Sequence, residues 1–198
     1  MAEWSCMNFS RATRILNARS KGMAVKNLFL MGAMALLVSG LTTQAQAQDE
    51  GGGMDDTDML SLGVGYYDIN DDDGAADFRL EYRDGHKYFW EVKPWAGAEV
   101  TSDTSIWLGG GVLLDLELAE NFYAVPSFGA GFYEEGDSDK DLDYFLEFRS
   151  QIELAYEFQN QQRLGVAFGH ISNAGLGDEN PGTEILNLYY HVPVDGLF

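Results

Sequence analysis

The chain has 198 residues, with 32 acidic side chains against 12 basic ones and a formal net charge of −20. That balance excludes nucleic-acid binding driven by phosphate attraction. High charge alone would allow disorder, but 12 Phe, 10 Tyr and 23 Gly, regularly placed, argue for a folded β protein.

The first segment reads as a targeting signal. Lys26 opens a short positive region, Leu28 to Leu41 is almost unbroken apolar sequence, and Ala45-Gln46-Ala47 is a small-x-small cleavage site. This is the pattern of a secretory signal peptide over residues 1–47, with Met23 as a second candidate start. The apolar core is shorter than the roughly 20 residues a spanning helix needs. Five basic residues (Arg11, Arg14, Arg19, Lys21 and Lys26) and Cys6, the single cysteine, lie in this segment. The exported chain is therefore more acidic still and carries no disulfide. A Gly-rich acidic tail spans 48–57, and one domain is expected over 58–198.

From Leu60 onward the sequence alternates with period two, the signature of strands with one apolar face. The first run carries Leu60, Leu62, Val64 and Tyr66 on one face. The second sets Phe78, Leu80 and Tyr82 against Asp77, Arg79, Glu81 and Arg83. The third is predicted from Phe89 to Val100. The fourth holds Ile106, Leu108, Val112, Leu114, Leu116 and Leu118 against Asp115 and Glu117. The fifth spans Phe122 to Tyr133. The sixth runs from Leu142 to Phe158, with Glu147, Arg149, Gln151 and Glu153 opposite the apolar side. The seventh sets Leu164, Val166 and Phe168 against Gly165, Ala167 and Gly169, and the eighth holds Leu186, Leu188, Tyr190 and Val192.

Eight runs of about nine to eleven residues fit tilted membrane strands. In a soluble sandwich the apolar face would be the core; in a membrane barrel it meets lipid and the polar face fills the lumen. The signal peptide, the even strand count and the alternating connectors favour the barrel. Arg83 to Lys87, Ala119 to Asn121 and Asn160 to Gln162 read as short periplasmic turns; the connectors between them are mostly longer and more polar. The fold expected is all-β, an eight-stranded antiparallel transmembrane β-barrel of the outer membrane. Its lumen is only wide enough for side chains, so Arg79, Arg83, Lys93 and Arg149 are expected to pair with inward acids and close it.

His170 and Ser172 continue the parity of Leu164, Val166 and Phe168, so they point to lipid. Glu184 shares the parity of Leu186 and Leu188. Neighbouring strands can thus bring a carboxylate, an imidazole and a hydroxyl together on one outward patch near the external ends of strands seven and eight. The chemistry this suggests is acyl transfer: Ser172 as nucleophile, His170 as general base and Glu184 as its orienting partner. Asn173, Asn180 and the backbone around Gly175 lie where oxyanion donors are needed, and Pro181 stiffens their loop. A lone His-x-Ser is weak evidence, Glu184 can be an ordinary strand-end charge, and Tyr189, Tyr190 and His191 read as interface or lumen residues. The acids at Asp71 to Asp73 and Asp137 to Asp143 read as solvated loop charge before they read as cation ligands.

The joint pattern carries more. The stretch HISNAGLGDENPGTE, with His170, Ser172, Asn173, Ala174, Asn180, Pro181, Gly182 and Glu184, resembles the signature of the outer-membrane lipid A 3-O-deacylase family, PagL. The resemblance implies a catalytic triad of Ser172, His170 and Glu184, with an oxyanion site at Asn180 and the Gly175 amide. It implies an eight-stranded barrel and an esterase that hydrolyses the 3-O-linked acyl chain of lipid A and releases a 3-hydroxy fatty acid, without a cofactor or metal. Lipopolysaccharide in the outer leaflet is the implied partner. An outer-membrane phospholipase and a non-enzymatic small barrel are the alternative readings, and a homodimer is left open.

Overall fold

A computed structural model describes residues 56–71, 74–138 and 140–194, all within one unit of the chain, Ala45–Phe198. The expected signal peptide, most of the acidic tail, Asp72, Asp73, Asp139 and Phe198 lie outside the described residues.

The alternating runs form β1 (Met59–Tyr67), β2 (Ala75–Arg83), β3 (Val92–Thr101), β4 (Ile106–Leu114), β5 (Leu116–Ala119), β6 (Phe122–Glu134), β7 (Leu146–Glu157), β8 (Arg163–Ser172) and β9 (Thr183–Pro193). Every neighbouring pair is antiparallel. β4 and β5 both pair with β6, and the ladder breaks between them at Asp115, so together they make one physical strand. β1 pairs with β2 on one side and β9 on the other, which closes the sheet. The result is an eight-stranded barrel, as the periodicity predicts. Closure leaves no edge strand with unpaired backbone groups, a requirement for a sheet that spans lipid.

Two boundaries differ from the sequence reading. The third run begins at Val92 rather than Phe89, because residues 84–91 form a longer connector in which Tyr88 and Phe89 hydrogen-bond back to Val92. The sixth begins at Leu146. Leu142 leaves the outward row and is buried, 1% exposed, in a cluster with Tyr67, Trp107, Tyr133, Ile171 and Ile185 that caps one end of the lumen. Alternation continued past the strand end because a folded-back loop can also bury every second side chain.

The outward face is the apolar one. Val64, Leu80, Leu108, Phe128, Leu154, Val166 and Leu188 are each more than 40% exposed. The inward face is charged yet closed. Arg79 pairs with Asp77 at 2.8 Å and Glu99 at 2.9 Å, Arg83 with Glu153 at 2.9 Å, Lys93 with Asp115 at 2.9 Å, and Arg149 with Glu81. His191 lies 2.7 Å from both Ser61 and Glu153 inside the lumen. Trp95 and Trp107 stack with ring centroids 5.9 Å apart across the interior. Inward glycines make room for them, since a Cβ on Gly129 would sit 2.6 Å from the Trp95 ring and one on Gly109 2.6 Å from Trp107. An apolar wall around a paired, ionic interior inverts the arrangement of a soluble protein and is that of a transmembrane barrel.

Candidate active site

The start of β1 and the end of β9, joined by the Val194 N–H donating to the Asp58 carbonyl, share one end of the barrel with connectors 84–91, 120–121 and 158–162. Connectors 68–74, 102–105, 135–145 and 173–182 gather at the other end, and His170, Ser172 and Glu184 stand there. Among the described residues the outward strand positions are apolar residues and rim tyrosines, apart from Glu134 alone at the end of β6 and a group of four: Ser150 on β7, His170 and Ser172 on β8, and Glu184 on β9. His170 neighbours each of the other three, Ser150 and Glu184 across the two ladders and Ser172 along the strand. Polar groups scattered at random would not cluster so, and polar groups on a lipid face mark function by default.

His170 and Glu184 are direct cross-strand partners, as parity predicts, and imidazole Nδ1 lies 3.2 Å from Glu184 Oε1. An ionised carboxylate only accepts, so the imidazole donates from Nδ1 and Nε2 carries the basic lone pair. The ring's orientation is further limited by Gly182, which holds a left-handed φ of 60°. A Cβ there would meet His170 Cε1 at 2.7 Å and Nε2 at 3.3 Å. Gly182 sits one residue past the Thr183–Ile171 pair, at the level of Ser172. The basic nitrogen is thus turned toward the end of β8 that carries the serine.

Ser172 shares the outward row with His170, two residues on, a Cα spacing of roughly 6.6 to 7 Å. Among the described residues no hydrogen bond joins its hydroxyl to the imidazole; such contacts often tighten only when substrate binds.

The loop after Ser172 is braced from within. Asn173 is fully buried and uses its whole amide: Nδ2 donates to the Leu142 carbonyl at 3.0 Å and the Glu179 carbonyl at 2.8 Å, while Oδ1 accepts from the Gly175 N–H at 2.8 Å. The Asn173 N–H donates to Asn180 Oδ1 at 3.1 Å. With its oxygen anchored, the exposed Asn180 has its NH2 end to offer. The Gly175 amide, expected from the sequence to face the oxyanion, is turned inward to Asn173.

Sequence reading missed Asn70. Its Nδ2 donates to Glu184 Oε2 at 2.6 Å, and the Ile69 N–H donates to the Glu184 carbonyl at 3.1 Å. Both carboxylate oxygens are therefore occupied, one by the imidazole and one by Asn70. Thr183 donates to Asp68 at 3.0 Å, and Lys140 bridges Asp68 at 3.1 Å and Asp71 at 2.9 Å, tying connector 135–145 to connector 68–74. The Lys140 hydrogen bond holds the Asp71 carboxyl below the usual range for an aspartate. Only the closure of β1 onto β9 brings Asn70 here, and no short-range pattern encodes that. Among the described residues no three His, Cys, Asp or Glu side chains converge on a metal-sized point.

A membrane barrel with a carboxylate, an imidazole and a hydroxyl on its lipid-facing wall has the form of an outer-membrane enzyme that works on lipid. Residues 76–193 match the model of the family described as lipid A 3-O-deacylase (PagL), and the chain belongs to that family. Two relatives are each named lipid A deacylase PagL. The one from Bordetella bronchiseptica is 32% identical over 36% of this chain and 40% of its own length; the one from Pseudomonas aeruginosa is 39% identical over 28% and 32%. These matches span less than half of either relative. A crystal structure titled as that of the outer membrane enzyme PagL aligns over 69% of this chain and 99% of its own, with 22% identity and a TM-score of 0.55, a likeness of fold. The chain is an outer-membrane β-barrel.

Proposed function

We propose that this chain is an outer-membrane serine esterase that hydrolyses the 3-O-linked acyl chain of lipid A and releases a 3-hydroxy fatty acid. The observation that carries the reading is the patch itself, a cluster of polar groups on an otherwise largely apolar wall, at the barrel end opposite Asp58 and Val194. Substrate would reach it by sliding within the outer leaflet.

Ser172 Oγ attacks the ester carbonyl while His170 Nε2 takes its proton. Glu184, steadied by Asn70, holds the ring and balances the imidazolium that forms. The Asn180 NH2 group donates to the developing oxyanion, worth on the order of 10²-fold to 10³-fold in comparable sites. Asn173 and Gly175 serve as the brace that places it. Collapse of the intermediate breaks the bond to the sugar oxygen, which takes the proton from His170. Water, deprotonated by His170, then cleaves the acyl-enzyme. No step calls for a metal or cofactor.

Mass spectrometry of lipid A and of phospholipids, from cells with and without the protein, tests this. Loss of one 3-hydroxyacyl group from lipid A is expected. Phospholipid turnover instead would make the protein a phospholipase, and no change in either lipid would make it a non-enzymatic barrel.

The role given to Gly182 has its own test. Gly182→Ala places a methyl against the imidazole and strains a left-handed backbone. Misplacing a reacting group by an ångström can cost about 10²-fold in rate, and the strain costs about 1 kcal/mol of stability. The expected result is kcat down by about that factor in a barrel that still folds, read by ester hydrolysis and heat-modifiable electrophoresis.

A further inference from the structure

Ser150 is the one member of the polar island that the mechanism leaves unused. It registers with His170 on β8 and with Phe128 on β6. Along its own strand the adjacent outward residues are Phe148 and Ile152. The side chain is exposed, and among the described residues its hydroxyl has no partner. Directly opposed Cβ atoms lie about 4.5 to 5.5 Å apart, yet the imidazole offers it nothing: Nδ1 faces Glu184 on the far side and Nε2 lies toward Gly182. A hydroxyl turned to hydrocarbon, away from water, gains most from a partner carried by whatever occupies the site.

We propose that Ser150 is a specificity residue that hydrogen-bonds a hydroxyl on the acyl chain close to the scissile carbonyl, so that the site selects 3-hydroxyacyl esters over unsubstituted ones. The proposal rests on the esterase reading above and adds the feature by which the acyl group is chosen.

The geometry fixes where on the chain that hydroxyl must be. An acyl carbon bonded to Ser172 begins at the level of Phe148, the register partner of Ser172. From there the chain runs down the wall toward Phe168, Leu186 and Ile152, all at least 45% exposed and apolar. Ser150 stands two residues along β7 from Phe148, about 6.6 to 7 Å deeper, and one strand aside, about 4.8 Å. Two side-chain reaches and one hydrogen bond span that diagonal if the ligand hydroxyl is two carbons beyond the carbonyl. A hydroxyl further down would lie against Ile152 and Leu154, which offer no partner. The carbonyl keeps Asn180, on the other side of Ser172, so the two polar contacts do not compete.

The experiment uses the purified barrel in detergent and two synthetic esters of equal chain length, one 3-hydroxylated and one unsubstituted. The readout is the ratio of their kcat/KM values. One neutral hydrogen bond sets the expected preference of the unaltered protein at about threefold to tenfold for the hydroxylated ester. Ser150→Ala should bring the ratio to about one, and Ser150→Thr, which keeps a hydroxyl, should restore it. Heat-modifiable electrophoresis verifies that each variant is folded. An equal ratio in the unaltered protein and Ser150→Ala overturns the proposal and leaves the esterase reading standing. So does a slowing of both esters by the same factor, since the hydroxyl would then serve the imidazole rather than the ligand. Cleavage of neither ester by the unaltered protein overturns the esterase reading, and this proposal with it.

Discussion

Ser172→Ala is expected to fold, insert and lose at least about 10³-fold of its deacylation rate. The fold half of that expectation comes from placement. Ser172 is the last residue of β8, half-buried on the outer face, and its side chain makes no hydrogen bond among the described residues. Substitutions of that kind usually change stability by less than about 0.5 kcal/mol. The rate half comes from chemistry, because no other hydroxyl shares its position at the Nε2 edge of the ring. His170→Ala should lose a similar factor, since an unassisted serine is a poor nucleophile. The double variant discriminates best. Residues that act as one unit lose their effect together, so Ser172→Ala with His170→Ala should be scarcely slower than either alone. Multiplying losses would mean that the two groups work independently and are not a nucleophile and its base. Lipid A mass spectrometry of cells carrying each variant, with electrophoresis to count folded barrels, reads both halves.

The barrel was legible because its wall obeys a period of two almost without exception, and a one-residue slip would send every charge into lipid. Leu146 to Tyr156 could be assigned to faces from sequence alone. The same parity rule placed His170, Ser172 and Glu184 outward, since it survives uncertainty in where a strand ends. Register and closure were not legible. The pairing of His170 with Glu184 follows from a hairpin and was within reach, whereas Asn70 reaches Glu184 from the opposite end of the sequence, 114 residues away. Asp71, within the acidic run Asp71 to Asp73, read as solvent-facing charge because nothing local distinguishes a loop that packs on a neighbour from one that does not. The inward turn of the Gly175 amide had the same origin: it depends on Asn173 being drawn under the loop by the Leu142 and Glu179 carbonyls. Ser150 shares the outward parity of Phe148 and Ile152, but nothing in that parity singles it out; its meaning comes only with the pairing to His170.

Arg149→Ala is expected to destabilise the barrel by about 3 to 5 kcal/mol and to leave kcat per folded molecule near its original value. Arg149 is 2% exposed, pairs with Glu81, lies 3.5 Å from Glu99 and packs 4.3 Å from the Trp95 ring and 4.8 Å from Trp107. Its removal leaves Asp77, Glu81, Glu99 and Glu153, all buried, to be balanced mainly by Arg79 and Arg83. Breaking a buried ion pair from one side costs that much because the orphaned charge stays buried. Arg149→Lys keeps the charge but loses the planar fork and the stacking on two indoles, so it should recover only part of the loss. Adding Glu99→Gln to Arg149→Met, which removes charge from both sides and keeps volume, should recover more of the stability than additivity predicts. Urea unfolding in detergent micelles measures Arg149→Ala, Arg149→Lys, the single variants Arg149→Met and Glu99→Gln, and their combination. The kinetic half of the prediction follows from topology. Arg149 faces the lumen and His170 faces lipid, on adjacent strands with the sheet between them. If Arg149→Ala slowed turnover per folded barrel by more than about tenfold, the interior network would be setting the geometry of the outer face, and the wall would not be the rigid partition that its eight closed ladders describe.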